Sequence, residues 1–221
     1  MLRFYKPYSA GVRHRVVMHF RNSYLAKGKQ SRSKQAFHRH FGRNQRGVKT
    51  CRGRSQGHKR LYRALNPTNA AFNFLDKPGT VVAFHYDPYR NARLACVLYD
   101  SGEQRFMLAP HGLNLGQAVL TCVKATVATG NRLPLHVIPL GTAVHDVEHH
   151  PGCGGVFARA AGAYAVLIAK EASYACLRLP SGEVRFLLKA CWATVGVVGN
   201  MAVVRRFAYQ HKETSSVFVW K

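Results

Sequence analysis

The chain has 221 residues, 47% of them hydrophobic, and carries 33 Lys and Arg against 9 Asp and Glu, a formal charge of +24. That apolar fraction supports a packed core and excludes wholesale disorder, and the length holds one large domain or two small ones. The charge excludes a self-neutralising surface and implies a polyanionic partner, nucleic acid before an anionic membrane.

Residues 1–66 are the first element, a basic arm with 18 Lys and Arg and no acid; the first acid is Asp76. Residues 67–221 hold the other 15 bases and all 9 acids. A block of one sign cannot neutralise itself through internal ion pairs, so its counter-charge comes from outside. The middle of the arm reads "GRNQRGVKTCRGRSQGHKRLYR" over 42–63. Its glycines permit tight bends and close approach of backbone to a ligand. The pattern fits neither a helix face nor a strand, and predicts an extended, irregular segment ordered by what it binds. Phe37, Phe41 and Tyr62 are isolated aromatics suited to stacking on bases or packing into a groove. Asn44, Gln45, Gln56 and His58 can reach sugars and base edges. The first 30 residues are Arg-rich and acid-free like a mitochondrial transit peptide, but the rest of the arm has the same composition.

After "NPTNAAFNF" the texture changes. Short apolar runs predict strands at 80–86, 94–99, 105–109, 118–123, 135–140, 164–169, 174–179 and 184–188, separated by turn formers. This is the pattern of an all-β sandwich or of small barrels. No amphipathic helix longer than two turns is visible. The longest apolar run, at 160–169, is about half a membrane span, so no membrane partner is expected. Two segments echo each other: "ACVLYDSGEQRFML" from Ala95 and "ACLRLPSGEVRFLL" from Ala175. Each reads as strand, Ser-Gly-Glu turn, strand, with Gly102 and Gly182 free to take the positive φ of a tight hairpin. "TVATGNRLP" at 126–134 then reads as the linker between two successive barrels.

Several loops carry chemistry. "YDPYRNARLA" offers Arg90 and Arg93 on a turn. "HDVEHHPGC" at 145–153 gathers Asp146, Glu148, three histidines and Cys153. Two carboxylates on one strand face could serve acid–base work, but the His and Cys spacing matches no common zinc site, and histidines lying against RNA explain the stretch better. Gly152, Gly154 and Gly155 remove side chains where something comes close, and Arg159 projects beside Ala160, Ala161 and Gly162, as a backbone pressed on a phosphate ridge requires. No nucleotide-binding P-loop or nucleophile elbow is present, so no enzyme is expected. The six cysteines show no Cys-x-x-Cys pair and read as small buried thiols in a reducing compartment.

Taken in order, "YKPYSAGVRHRV", the 42–63 stretch, "YDPYRNARLACVLYDSGEQRFMLAPHGLNLGQ", "GNRLPLHVIPLGTAVHDVEHHPGCGGVFARAAGAY", "LRLPSGEVRFLL" and "CWATVGVVGN" make the chain resemble the ribosomal large-subunit protein two family (the L-two family) across most of residues 5–200. The resemblance implies a basic arm over 1–66, an oligonucleotide-binding-type barrel over 67–126, an SH3-like barrel over 127–200 and a divergent tail over 201–221. It implies a structural component of the large subunit that binds large-subunit rRNA near the peptidyl transferase region and supports subunit association. A free-standing RNA-binding translation or processing factor with tandem small barrels is the alternative. Arg90 and Arg159 match the family's RNA-contacting arginines. The full set of candidate RNA contacts is Arg13, Arg43, Asn44, Arg46, Arg52, Arg54, His58, Lys59, Arg60, Arg63, Arg90, Arg93, Arg132 and Arg159. No cofactor is implied beyond structural Mg²⁺ held by the rRNA, and neighbouring ribosomal proteins are expected partners. Family members usually continue into a basic tail with a His-Pro-His-Gly-Gly-Gly-Glu motif. Here "MAVVRRFAYQHKETSSVFVWK" follows Asn200 without it, and His211 lacks the glycine setting. The expectations are that this part is either missing or supplied by a second polypeptide, and that the origin is mitochondrial and organelle-encoded, with a chloroplast or bacterial cytoplasm as the alternative.

Overall fold

A computed structural model of the chain describes residues 2–10, 12–13, 15–18, 34–36, 40–53, 57–65 and 75–201. All of its regular structure there is β, without a helix. Arg54, Gln56, Phe37, "NPTNAAFNF" and His211 lie outside the described residues.

The arm is less irregular than its composition predicts. β1 (Leu2–Phe4) pairs antiparallel with β2 (Val16–Met18), and β3 (Lys34–Ala36) with β4 (Leu61–Arg63). Ladders of three residues are too short to leave a period in the sequence. The segment 40–53 is a tight loop closed by an Arg43–Lys49 bridge. Gly47 turns it at φ +79°, and the Asn44 side chain accepts a bond from the Val48 N–H at 3.0 Å.

Two larger sheets follow. The first has the order β7-β6-β5-β8, from β5 (Pro78–His85), β6 (Leu94–Tyr99), β7 (Gln104–Leu108) and β8 (Ala118–Leu120). Leu65 bridges Phe106 in parallel beside β7, so the end of the arm extends this sheet. Both faces of β6 are buried. Ala95 and Val97 pack with Val81, Leu113 and Val119, while Leu94 and Cys96 pack with Phe106, Leu108 and Val198.

The second sheet has the order β15-β14-β13-β10-β16-β9. Its strands are β9 (Arg132–Pro134), β10 (Ala143–His145), β13 (Ala165–Lys170), β14 (Tyr174–Arg178), β15 (Val184–Leu188) and β16 (Trp192–Val195). A separate pair, β11 (Val147–Glu148) with β12 (Gly155–Phe157), follows β10 and lies against β16. Leu133, Leu135, Ile138, Val144, Leu167 and Leu177 fill its core with no exposure. The two consecutive antiparallel sheets agree with an oligonucleotide-binding-type barrel followed by an SH3-like one.

Three expectations change. Residues 135–140 form a turn, with the strand at Arg132–Pro134 just before it. Leu135 and Ile138 are both buried because a turn, like a strand, can aim two apolar side chains inward. The 126–134 stretch is no free linker. Asn131 is buried, accepts from the Leu120 N–H and donates to the Thr126 carbonyl, so it ties the two sheets together. Gly199 N–H donates to Ala109 O and Cys122 N–H to Arg132 O, adding backbone bonds across the same seam. All six cysteines are free thiols, but only Cys96, Cys122, Cys176 and Cys191 are buried; Cys51 and Cys153 are exposed.

Candidate nucleic-acid interface

The basic residues of the arm fall into two groups. Arg13, Arg43, Arg46, Arg52, His58, Lys59 and Arg60 are exposed. None of the arginines or Lys59 in that group has a carboxylate partner among the described residues. Arg is well suited to such a surface, because its planar fork meets phosphate in two parallel bonds and stacks on bases. Asn44 spends its amide oxygen on Val48, and the His58 ring lies 2.9 Å from the Lys59 carbonyl, so both are held by their own loops.

The second group anchors the arm to the first sheet. Tyr62 meets Tyr89 edge to face at 5.7 Å, and the Arg90 guanidinium lies over the Tyr62 ring at 5.4 Å. Arg90 also bonds the buried Asp87 carboxylate at 2.5 Å and the Tyr62 hydroxyl at 3.2 Å. Arg60 donates to the Pro88 carbonyl at 3.1 Å. Arg63 is half-buried and donates to the Leu61 carbonyl. Arg90 is therefore a clasp between β4 and the β5–β6 turn, with 16% of its side chain exposed. Arg93 is half-buried one turn later, where desolvation lowers its pKa.

A buried ionic network organises the 145–159 segment. Arg132 reaches Asp146 with one guanidinium nitrogen and Glu148 with the other, both at 2.9 Å. Arg159 stands 3.2 Å from the far oxygen of Asp146, without hydrogen-bond alignment, and donates to the Gly155 carbonyl at 2.8 Å. The second Glu148 oxygen accepts from the Gly152 and Trp192 amides. The two carboxylates do converge, though not along one face of an extended strand: Asp146 bends between β10 and β11 at φ +50°, and both acids hold arginines.

The structure gives Arg132 a different place from the one expected. It is 6% exposed and each of its terminal guanidinium nitrogens is engaged by a carboxylate, so it supports the loop from beneath. Gly155 is corrected in the same way. A Cβ there would overlap the Asp146 carboxylate and carbonyl, so what comes close is the protein's own network. Of the loop's candidates, Arg159 remains partly exposed, with His149 and His150 outside it. His145 is fully buried; its Nδ1 lies 2.9 Å from the Gly196 carbonyl, which can only accept, so Nδ1 carries the hydrogen. Desolvation lowers its pKa and keeps the ring neutral. Among the described residues no group of three or more His, Cys, Asp and Glu is arranged to hold a metal ion.

Residues 30–121 match the family model "Ribosomal Proteins L2, RNA binding N-terminal domain", and residues 128–210 match "Ribosomal Proteins L2, C-terminal domain". Together the two cover most of the chain in the family's order. The chain belongs to the ribosomal L2 family. It is a large-subunit ribosomal protein that binds RNA, and its partners are rRNA and other ribosomal proteins. The family's part in the ribosome is structural. The L2 RNA-binding match spans both the exposed cations of the 40–53 loop and the clasp at Arg90.

Sequence reasoning missed the clasp and the network. The clasp left one signal, Asp87 three residues before Arg90 in "DPYR"; its Tyr62 half is distant in sequence. The network had a stronger one, the sole clustering of acids in a chain that has only nine.

Proposed function

We propose that this L2 chain sits in the large subunit near the peptidyl transferase region, with its arm threaded between rRNA helices, and supports association of the subunits. One observation carries the reading: a row of exposed cations over 43–60 with no carboxylate partner among the described residues, fastened to a folded β body by the Tyr62–Arg90–Asp87 clasp. Phosphate completes that row, and Mg²⁺ held by the rRNA screens what the arm does not reach. Arg43, Arg46, Arg52, Lys59 and Arg60 bind phosphate directly, and Arg159 does so from a loop stiffened by Arg132. The chain works in a mitochondrial ribosome.

The test is sedimentation of a tagged intact chain from fractionated cells. It should travel with mitochondrial large subunits through a moderate salt wash. Recovery in the soluble fraction would refute the assembly reading. Recovery on chloroplast or cytoplasmic ribosomes would refute the location.

A further inference from the structure

The outer face of β13, β14 and β15 has no phosphate chemistry. Register places Tyr174 opposite Leu188, Cys176 opposite Phe186 and Arg178 opposite Val184. Tyr174, Val184, Phe186 and Leu188 are all exposed. The echo hairpin makes the anomaly plain. Phe106 and Phe186 occupy the same register position, opposite Cys96 and Cys176, yet Phe106 is 1% exposed and Phe186 59%. The first ring is roofed by Leu65 and Val198; among the described residues nothing roofs the second.

Three further observations say what covers it. Among the described residues β15 ends the sheet, so one row of its backbone donors and acceptors faces away from any described strand, an arrangement that templates the addition of an extended chain. A hollow of about 400 Å³ opens at the Val184 end, walled by Tyr164, Val166, Leu179 and Pro180 with the Arg178 guanidinium among them. Arg178 has no carboxylate partner among the described residues. RNA does not suit this face, which offers one cation where the arm offers 18. A second copy does not suit it either, because each would bring a charge of +24 to the contact.

We infer that this face docks an extended segment of a different protein. The segment adds to β15 as a further strand, lays alternate apolar side chains over Phe186 and Leu188, and sets a carboxylate against Arg178. The partner is a neighbouring protein of the particle, and to that extent the inference rests on the assembly proposed above.

The experiment replaces Phe186 with the photo-crosslinker p-benzoylphenylalanine in the intact chain and irradiates sedimented large subunits. The expected product is a ribonuclease-resistant, protease-sensitive adduct that maps to one strand-forming segment of another polypeptide. Its yield should fall roughly tenfold when Arg178→Glu and Val184→Lys are added, with sedimentation unchanged. An adduct to rRNA, an adduct to a second copy, no adduct in co-sedimenting subunits, or a yield indifferent to the two changes would each overturn the inference. A chain that fails to sediment refutes the assembly reading and this partner with it, an outcome distinct from sedimentation without crosslinking.

Discussion

Arg132 shows how a residue's type can mislead about its work. A buried guanidinium is tolerated only when its donors are met, and here Asp146 and Glu148 meet them at 2.9 Å each. Removing one member leaves the others desolvated and uncompensated. Arg132→Ala should therefore destabilise the chain by about 3–5 kcal/mol in urea unfolding. Arg132→Lys should be intermediate, because an ammonium cannot bridge two carboxylates as the planar fork does. The Gly152 amide, bonded to Glu148, should exchange faster in both variants; unchanged exchange would refute the role of Arg132 in stiffening the loop. The buried histidines set a pH dependence. The pKa of His145 is lowered by desolvation, and that of His85 by desolvation with added repulsion from Lys34 and Arg63. A depressed folded pKa means that the unfolded chain takes up protons near its ordinary 6.5 while the folded chain resists. The stabilisation is complete above that value and is lost as pH falls toward the folded pKa. The urea midpoint of the RNA-free chain should be lower at pH 5.5 than at pH 7.5, and the difference should shrink in His85→Phe. Thiol chemistry separates the same way. Cys191 is pushed up to about 11, chiefly by burial and then by Glu148, so it should resist alkylation at neutral pH while exposed Cys51 and Cys153 react.

At the scale of elements, the two echo hairpins share sequence, turn and register but not surroundings. Gly102 at φ +78° and Gly182 at φ +90° close them alike, each with the glycine N–H bonded back to the last residue of the incoming arm, Tyr99 or Leu179. The alternation and the Ser-Gly-Glu turn made these hairpins legible in the sequence, because a strand's period of two and a turn's φ are local requirements. Burial is not local. Phe106→Ala should cost about 3–5 kcal/mol, whereas Phe186→Ala in the isolated chain should stay within roughly 0.5 kcal/mol of the parent. Equal losses in urea unfolding would mean that Phe186 is covered in the free chain. The short strands β10, β11, β12 and β16 were not legible, being two to four residues long and carrying His, Glu, Gly or Trp where an apolar alternation was sought.

For the whole molecule, the arm and the body are not independent. Leu65 packs on Phe106 and Tyr62 lies under Arg90, so the arm's last residues belong to the folded core. Deleting residues 1–56 should leave a cooperatively folding β protein with weakened rRNA binding. Extending the deletion to 66 should also lower the unfolding midpoint, because it uncovers Phe106. Affinity of the intact chain should fall steeply with salt, by ~10³ or more between 50 and 200 mM for about six phosphate contacts, and the 1–56 deletion should flatten that slope. A truncated chain with the parent's affinity and slope would sink the arm as the main RNA contact.

The sequence by itself determined the β class, the echo hairpins, the segregation of 18 cations into an acid-free arm and, through them, a polyanionic partner. Those features are additive or local: charge sums along the chain, and strand period and turn conformation depend on near neighbours. Only the tertiary structure decided which arginines stay available. Arg43 and Arg132 look alike in sequence, yet one is exposed and the other sealed by Asp146 and Glu148 from the far side of a turn. The reason is desolvation. Whether a guanidinium offers its donors to a phosphate depends on what the fold brings over it, and contacts between residues 14 or 28 apart leave no pattern in the chain.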